Sequence, residues 1–147
     1  MSNIAPQHHS AINGPGGLWY KLERWIQDDL VKTNDKEIWI YAGNIIFDTE
    51  NMEKVGTNDN IVVPNLFYKI VIMESGNDNK PRVLAFLFPH FKNKEDMKEK
   101  SIFRYVVTVD YIEAITGLDF FTKISKANQK ELESKVKRES WKQYINN

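Results

Sequence analysis

The sequence contains no cysteine, which excludes disulfide bonds, thiolate nucleophiles and cysteine-based zinc sites. It also has no excess of charge, because 20 basic residues balance 20 acidic ones, so no long-range field attracts the chain to nucleic acid. A continuous run of about eighteen apolar residues is lacking, as is a basic and apolar leader at the N-terminus. We therefore expect a soluble chain with no membrane partner and no readable export signal.

Apolar and aromatic residues, by contrast, are abundant. They make up 41% and 12% of the 147 residues, which is ample for a packed interior in a chain of this length. The sequence shows no internal repeat and no linker that would divide it. Residues 1–147 are therefore predicted to form a single domain.

Hydrophobic periodicity predicts one long helix followed by three strands. Apolar side chains recur at the helical period over residues 18–31. Strands are predicted at residues 37–47, with a bend or bulge near Gly43, and at residues 66–74 and 82–88, which a long loop joins as a hairpin.

Two further helices are predicted in the C-terminal part of the chain. Asp110 and Glu113 are interpreted as a capping box that opens a short helix, which Gly117 closes. Residues 126–144 are predicted to form one charged surface helix with a narrow apolar stripe. The predicted fold class is therefore α+β, with a mostly antiparallel sheet and helices packed against it.

Asn13 and Glu23 place an amide and a carboxylate at the start of the first predicted helix. Oxygen atoms of this kind are the ligands of hard cations, and Mg²⁺ takes only one or two of them while keeping most of its waters. A carboxylate can then hold those waters without touching the ion. Each residue also has an ordinary structural explanation, because Asn13-Gly14 is a common turn dipeptide and Glu23 on a helix surface is usually solvated. Asn3, in an extended segment, can simply bond the backbone.

Four separated motifs favour the chemical interpretation because they occur together. They are Ser-Asn-Ile-Ala-Pro-Gln at residues 2–7, followed by Asn13 and by Trp-Tyr-Lys-Leu-Glu at 19–23; Tyr-Ala-Gly-Asn-Ile at 41–45; Val-Val-Pro-Asn-Leu-Phe-Tyr-Lys-Ile-Val at 62–71; and Val-Thr-Val-Asp-Tyr-Ile-Glu at 107–113, leading into Thr-Gly-Leu-Asp-Phe-Phe at 116–121. In this order, over nearly the whole chain, they resemble the DNA/RNA non-specific endonucleases of the ββα-metal (His-Me finger) class.

The resemblance implies a sequence-non-specific endonuclease that hydrolyses phosphodiester bonds of DNA and RNA with Mg²⁺ or another divalent cation. Its partners would be the backbone phosphates of DNA and RNA rather than base edges. The resemblance further implies that Asn13 is the metal ligand, that Glu23 orients waters around the ion, and that Asn3 helps to shape the catalytic site.

The sequence also departs from the family pattern. The family's Asp-Arg-Gly-His motif, which carries the general-base histidine and a substrate-binding arginine, does not occur in it. The spacing from Asn13 to Glu23 is longer than usual, and Gln27 stands where relatives often carry a basic residue. We therefore expect a truncated ββα-metal domain that lacks its N-terminal strands and is inactive alone, unless His8 or His9 replaces the base or a second chain supplies the missing strand.

The alternative is a non-catalytic relative that binds nucleic acid or a protein partner, which the neutral net charge also suits. Relatives are often secreted or periplasmic, so the compartment stays open. Lys69, on the strand at 66–74, is predicted either to face solvent or to line the groove. His90, which follows Pro89, is predicted to be structural or exposed.

Overall fold

The computed structural model describes residues 5–33, 35–47, 50–74 and 80–145, and its strands form two antiparallel sheets. The strands in these residues are β1 Ile38–Ile45, β2 Lys54–Val55, β3 Ile61–Val62, β4 Leu66–Met73, β5 Arg82–Pro89 and β6 Val106–Val107. The larger sheet has the order β1-β4-β5-β6, and β2 pairs with β3 in a small separate ribbon. The three long strands match the predicted ones to within two residues at each end.

Helices cover both faces of the larger sheet. The helical segments in the described residues are the π-helical turn His9–Asn13, α1 Leu18–Trp25 with its π-helical continuation Ile26–Val31, the 3₁₀ turns Lys94–Asp96 and Ile102–Tyr105, α2 Val109–Thr116, α3 Lys126–Glu133, the 3₁₀ turn Arg138–Trp141, and α4 Lys142–Ile145. Among these described segments, none is long and apolar enough to cross a membrane. The predicted helix at residues 18–31 is confirmed, with wider turns after Trp25.

Strand β4 lies between β1 and β5 and is buried along almost its whole length, because both of its faces are covered. Phe67, Val71 and Met73 on one face pack with the apolar side of α1. Tyr68 and Ile70 on the opposite face pack with α2 and the segment after it. The fold therefore has three layers, with the sheet between two layers of helices. Successive side chains of β4 point alternately to the two helical layers.

The bulge predicted near Gly43 is wrong. The pairing between β1 and β4 runs without interruption from Ile38 opposite Met73 to Ile45 opposite Leu66. Gly43 lies directly opposite Tyr68, and a Cβ atom at Gly43 would stand 2.6 Å from the Tyr68 ring. Glycine is therefore required because the Tyr68 ring crosses the backbone of β1.

The capping of α2 also differs from the prediction. The N-cap residue is Thr108, two residues before the predicted Asp110, because the Thr108 hydroxyl accepts a hydrogen bond from the Tyr111 backbone N–H at 3.2 Å. The Glu113 carboxylate instead accepts a hydrogen bond from the Phe120 backbone N–H at 2.6 Å. Gly117 ends the helix as predicted, in the left-handed conformation with φ of 71°.

The single helix predicted for residues 126–144 is wrong, because the chain passes from one face of the sheet to the other within this segment. Helix α3 ends at Glu133, and Leu132 packs on the α2 side. Trp141 is fully buried on the α1 side, where its ring centroid lies 5.9 Å from that of Trp25. The Trp25 indole N–H also donates to the Tyr144 carbonyl at 2.6 Å. One straight helix could not bury Leu132 and Trp141 in two separate layers.

Replacing Gly43 with alanine is expected to destabilise the fold by about 1–3 kcal/mol, because the added methyl group meets the Tyr68 ring. Chemical denaturation of the parent and Gly43→Ala proteins measures this cost. In a Tyr68→Leu background the same change is expected to cost much less, because the ring is gone. An equal cost in both backgrounds would show that the Tyr68 ring is not the reason for glycine.

Candidate active site

Glu23 on α1 forms an ion pair with Lys69 on β4, with Oε1 and Nζ 3.3 Å apart. Lys69 is only 5% exposed, and its Nζ also lies 3.9 Å from the centroid of the Trp19 ring. Trp19 and Glu23 are four residues apart on one helix, so they present their side chains on the same face. The Glu23 carboxylate is therefore held by a fixed cation, while more than half of its side chain remains accessible to solvent.

The electrostatics of Lys69 follow from this packing. Burial lowers the pKa of the Lys69 amine, and the Glu23 carboxylate opposes that shift. The face of the Trp19 ring also favours the charged form. Lys69 was predicted either to face solvent or to line the groove, and solvent exposure is wrong. Its side chain lies between the sheet and α1, where it contacts the Glu23 carboxylate.

Asn13 is the last residue of the π-helical turn, and its side chain is exposed. Residues 14–17 connect it to α1 through a tight turn in which the Gly17 N–H donates to the Gly14 carbonyl at 2.8 Å. The Lys94 ammonium group anchors the same loop by donating to the Pro15 carbonyl at 2.7 Å. Asn13 thus lies on a fixed loop just before α1. Asn3 lies outside the described residues.

A small cleft opens beside this region, between the N-terminal segment, α1 and β1. It is lined by Gln7, Trp19, Asn44 and Phe67, together with the small residues Ala5, Ala42 and Gly43. The Trp19 side chain lines this cleft and also contacts the Lys69 ammonium group, so the cleft and the ion pair share one aromatic residue.

Basic groups collect on the other side of the loop after Asn13. A surface depression there is lined by Gly16 and by Lys21, Lys94 and Lys100, against one glutamate. The Lys21 ammonium group donates to the Lys100 carbonyl at 2.9 Å, which fixes part of this arrangement. A chain with no net charge therefore carries a local basic patch next to the loop that presents Asn13.

His90 has a structural role, as predicted. Its Nε2 accepts a hydrogen bond from the His8 backbone N–H at 2.9 Å, and its Nδ1 lies 2.7 Å from the Pro64 carbonyl. These two partners fit a neutral imidazole with its proton on Nδ1. Burial lowers the pKa of His90, and the Pro64 carbonyl partly opposes that shift. His90 therefore ties the N-terminal segment to the loop before β4.

The two candidate replacement bases, His8 and His9, have different surroundings. The His8 ring packs against the His90 ring with centroids 4.6 Å apart, and its Nε2 lies 3.7 Å from the Glu53 carboxylate. His9 is exposed at the start of the π-helical turn, and its ring lies against Gly14, the residue after Asn13. His8 is thus occupied by structural contacts, while His9 stands next to the Asn13 loop.

A second group of acidic side chains lies on the other helical layer, and the sequence did not reveal it. Asp110, Glu113 and Glu133 each offer a carboxylate oxygen, and these oxygens all lie within 4.8 Å of one another, so that the group could hold a metal ion. Asp110 and Glu113 were predicted to cap α2. Glu133 lies on a different helix, and only the packing of α2 with α3 shows that it joins them.

Stability is expected to fall as the pH decreases below about 6.5, in part because His90 must become protonated. Burial in the folded state lowers the pKa of His90 below its ordinary value. Neutral His90 therefore contributes fully to the free energy of unfolding above the ordinary value. That contribution is lost as the pH falls toward the lower pKa of the folded state. In His90→Gln, urea denaturation between about pH 7 and pH 5 is expected to show a smaller loss than in the parent. The exposed His9→Gln serves as the control and keeps the parent profile. Identical profiles for both variants would contradict the role given to His90.

Comparison with known proteins agrees with this architecture. The profile of the family described as DNA/RNA non-specific endonuclease matches residues 1–127. The chain is 26% identical over 146 residues to Nuclease 1, mitochondrial, of Schizosaccharomyces pombe, covering 92% of this chain and 43% of that protein. It is 30% identical over 145 residues to Mitochondrial nuclease of Saccharomyces cerevisiae, covering 90% of this chain and 42% of that protein.

A solved structure supports the same conclusion about the fold. The crystal structure of the EndoG/EndoGI complex, titled for the mechanism of EndoG inhibition, contains a chain with a TM-score of 0.67 and 27% identity. The match covers 86% of this chain and 51% of that chain. The fold is thus the mixed helix and antiparallel-sheet architecture of a nuclease, and the chain belongs to the DNA/RNA non-specific endonuclease family. It spans less than half the length of the curated relatives that it matches.

Proposed function

We propose that this chain forms the metal-holding part of an endonuclease site that hydrolyses phosphodiester bonds of DNA and RNA with Mg²⁺. The observation that carries the proposal is the buried Lys69 that fixes the Glu23 carboxylate at the surface of α1. The ion pair restrains the Glu23 side chain on the surface of α1. Such a restraint suits a carboxylate that holds waters in one orientation, since free rotation of the side chain would spread their positions.

The residues fit the ion by the chemistry of their donors. The Asn13 amide oxygen is exposed on a fixed loop and serves as the direct ligand, which suits a cation that accepts few protein oxygens. Glu23 is assigned to the waters around the ion rather than to the ion itself, as the family resemblance implies. A bound Mg²⁺ would stabilise negative charge on the phosphate and on the leaving oxygen.

The substrate proposal follows from the charges around the Asn13 loop. Lys21, Lys94 and Lys100 form a basic patch beside it, although the chain as a whole is neutral. Such a patch attracts phosphate groups without reading the bases, which accounts for low sequence specificity. We assign the patch to the phosphate backbone of DNA or RNA next to the bond that is cut.

The general base is the part of the site that these residues do not supply. The sequence contains no Asp-Arg-Gly-His motif. His90 accepts a hydrogen bond from the His8 backbone N–H, and the two imidazole rings pack against each other. We infer that the chain does not cleave alone and that a further segment or a second chain provides the histidine. The alternative is a non-catalytic relative that binds nucleic acid or a protein partner, which the absence of the Asp-Arg-Gly-His motif from the sequence also suits.

Binding of Mg²⁺ is expected to depend on Asn13 and on the ion pair behind it. In isothermal titration calorimetry, Asn13→Ala and Glu23→Gln are expected to weaken Mg²⁺ binding about tenfold or more, and Lys69→Met by a smaller factor. All proteins carry Glu133→Gln, so that the acidic group on α2 and α3 does not contribute. Asn128→Ala, an exposed asparagine on α3, is the matched control and keeps the parent affinity. Equal affinity in Asn13→Ala and Asn128→Ala would contradict the ligand assignment.

Cleavage is expected only when a base is added. With plasmid DNA and RNA in Mg²⁺, the chain alone is expected to be inactive, and about 0.2 M imidazole is expected to give slow cutting by acting as the missing general base. EDTA and Asn13→Ala are expected to abolish that cutting. Rapid cutting without imidazole that is lost in His9→Ala would contradict the inactive fragment and make His9 the base. Binding of nucleic acid with no cutting under any condition would favour the non-catalytic alternative.

A further inference from the structure

The carboxylates of Asp110, Glu113 and Glu133 are the basis of an inference that does not depend on the proposed nuclease site. Asp110 and Glu113 lie one turn apart on α2, and Glu133 is the last residue of α3. Their oxygens lie within 4.8 Å of one another. Three negative groups this close repel each other strongly unless a positive group lies between them.

Glu133 provides the independent observation. Its side chain is 5% exposed, and in the described part of the chain its Oε1 has no hydrogen-bond partner. It also stands at the C-terminal end of α3, where the aligned peptide dipoles disfavour a negative charge. A buried carboxylate oxygen with no donor is strongly unfavourable, so its position beside two other carboxylates requires an explanation.

Burial and the surrounding carboxylates disfavour a negative charge on Glu133. Burial raises the pKa of Glu133 to about 7, and the carboxylates of Glu113, Asp110 and Asp119 contribute in the same direction. A hydrogen bond from Gln129 opposes the shift but does not reverse it. The Lys126 ammonium group donates to Gln129 Oε1 at 3.0 Å.

Neighbouring groups hold the acidic side chains in place. The Phe120 backbone N–H donates to Glu113 Oε1 at 2.6 Å, which leaves the carboxylate with acceptor capacity for an ion. Gln129 Nε2 donates to Asp119 Oδ1 at 2.7 Å and to the Phe120 carbonyl at 3.0 Å. The loop after α2 and the body of α3 are thus joined around the carboxylates before any ion binds.

We propose that Asp110, Glu113 and Glu133 bind one hard divalent cation, Ca²⁺ in preference to Mg²⁺, and that this ion clamps α2 to α3. Ca²⁺ takes oxygens at about 2.3–2.6 Å, so ligands on opposite sides of it stand about 5 Å apart, which accommodates the observed separation. Mg²⁺ binds oxygens at about 2.0–2.1 Å and demands a tighter octahedron. The site lies on the α2 face of the sheet, whereas Lys69 and Glu23 lie on the α1 face.

Calorimetry and thermal unfolding of the 147-residue chain with CaCl₂ test this proposal. About 5 mM CaCl₂ is expected to raise the Tm by roughly 5 °C, and the same concentration of MgCl₂ is expected to raise it less. In an Asn13→Ala background, which removes the contribution of the proposed nuclease site, Glu133→Gln is expected to abolish both the heat of Ca²⁺ binding and the Tm shift. Since this change also removes repulsion, the variant is expected to fold and to be at least as stable as the parent without Ca²⁺, so loss of binding does not reflect loss of structure.

Glu131→Gln is the matched control, because Glu131 lies on the same helix but pairs with Lys137 instead, at 2.7 Å. In the same Asn13→Ala background it is expected to keep the full Ca²⁺ response, which separates this site from the proposed nuclease site. The proposal is overturned if Ca²⁺ gives no heat and no Tm shift with the parent chain, or if Glu133→Gln and Glu131→Gln respond to Ca²⁺ alike.

Discussion

The alternation of side chains along β4 is the constraint on which both candidate sites depend. Because β4 is buried between β1 and β5 and covered on both faces, each of its residues must face either α1 or α2. Tyr68 and Ile70 support the α2 layer, and Lys69 between them is therefore directed to the α1 layer. A shift of one residue in this strand would remove Lys69 from Glu23 and place it among apolar side chains.

Among the described residues, Lys69 on the α1 side and Glu133 on the α2 side are the buried side chains of the lysine, arginine, aspartate and glutamate types, and their surroundings differ. Lys69 has Glu23 and the Trp19 ring as partners, so its charge is balanced where it lies. Glu133 has carboxylates as neighbours and an oxygen without a donor. Buried charges are tolerated when paired and are costly when they are not. The pairing of Lys69 accounts for a positioned Glu23 carboxylate. The unpaired oxygen of Glu133 accounts for a place where an external cation would bind.

Local patterns were sufficient to predict the three long strands and the first helix, because alternation in β4 and the helical period after Gly17 are properties of short segments, whereas the two-residue strands β2, β3 and β6 were not predicted. They could not reveal that Tyr68 makes Gly43 necessary, or that the chain changes layers between Leu132 and Trp141. Both features arise from contacts between segments distant in sequence. The break in the C-terminal helix in particular follows from where two apolar side chains are buried, not from any helix-breaking residue.

The residues of the candidate site could be named from the sequence, but their contacts could not. Family resemblance, not spacing, gave Asn13, Glu23 and Asn3 their roles, and those roles stay predictions. The partner of Glu23 could not be inferred from the sequence, because Lys69 lies 46 residues away and a lysine in a strand is usually exposed. The acidic group of α2 and α3 was missed for the same reason, since Glu133 joins Asp110 and Glu113 only after the two helices pack together.

Asn13 and Glu23 are proposed to serve one hydrated cation. A crystal structure of the chain soaked with Mn²⁺, with the ion located by anomalous scattering, is the sharpest test. We expect an ion about 2.2 Å from the Asn13 amide oxygen, with the Glu23 carboxylate connected to it through water. An ion bound elsewhere, with the Asn13 and Glu23 side chains directed to opposite sides of the molecule, would contradict this proposal.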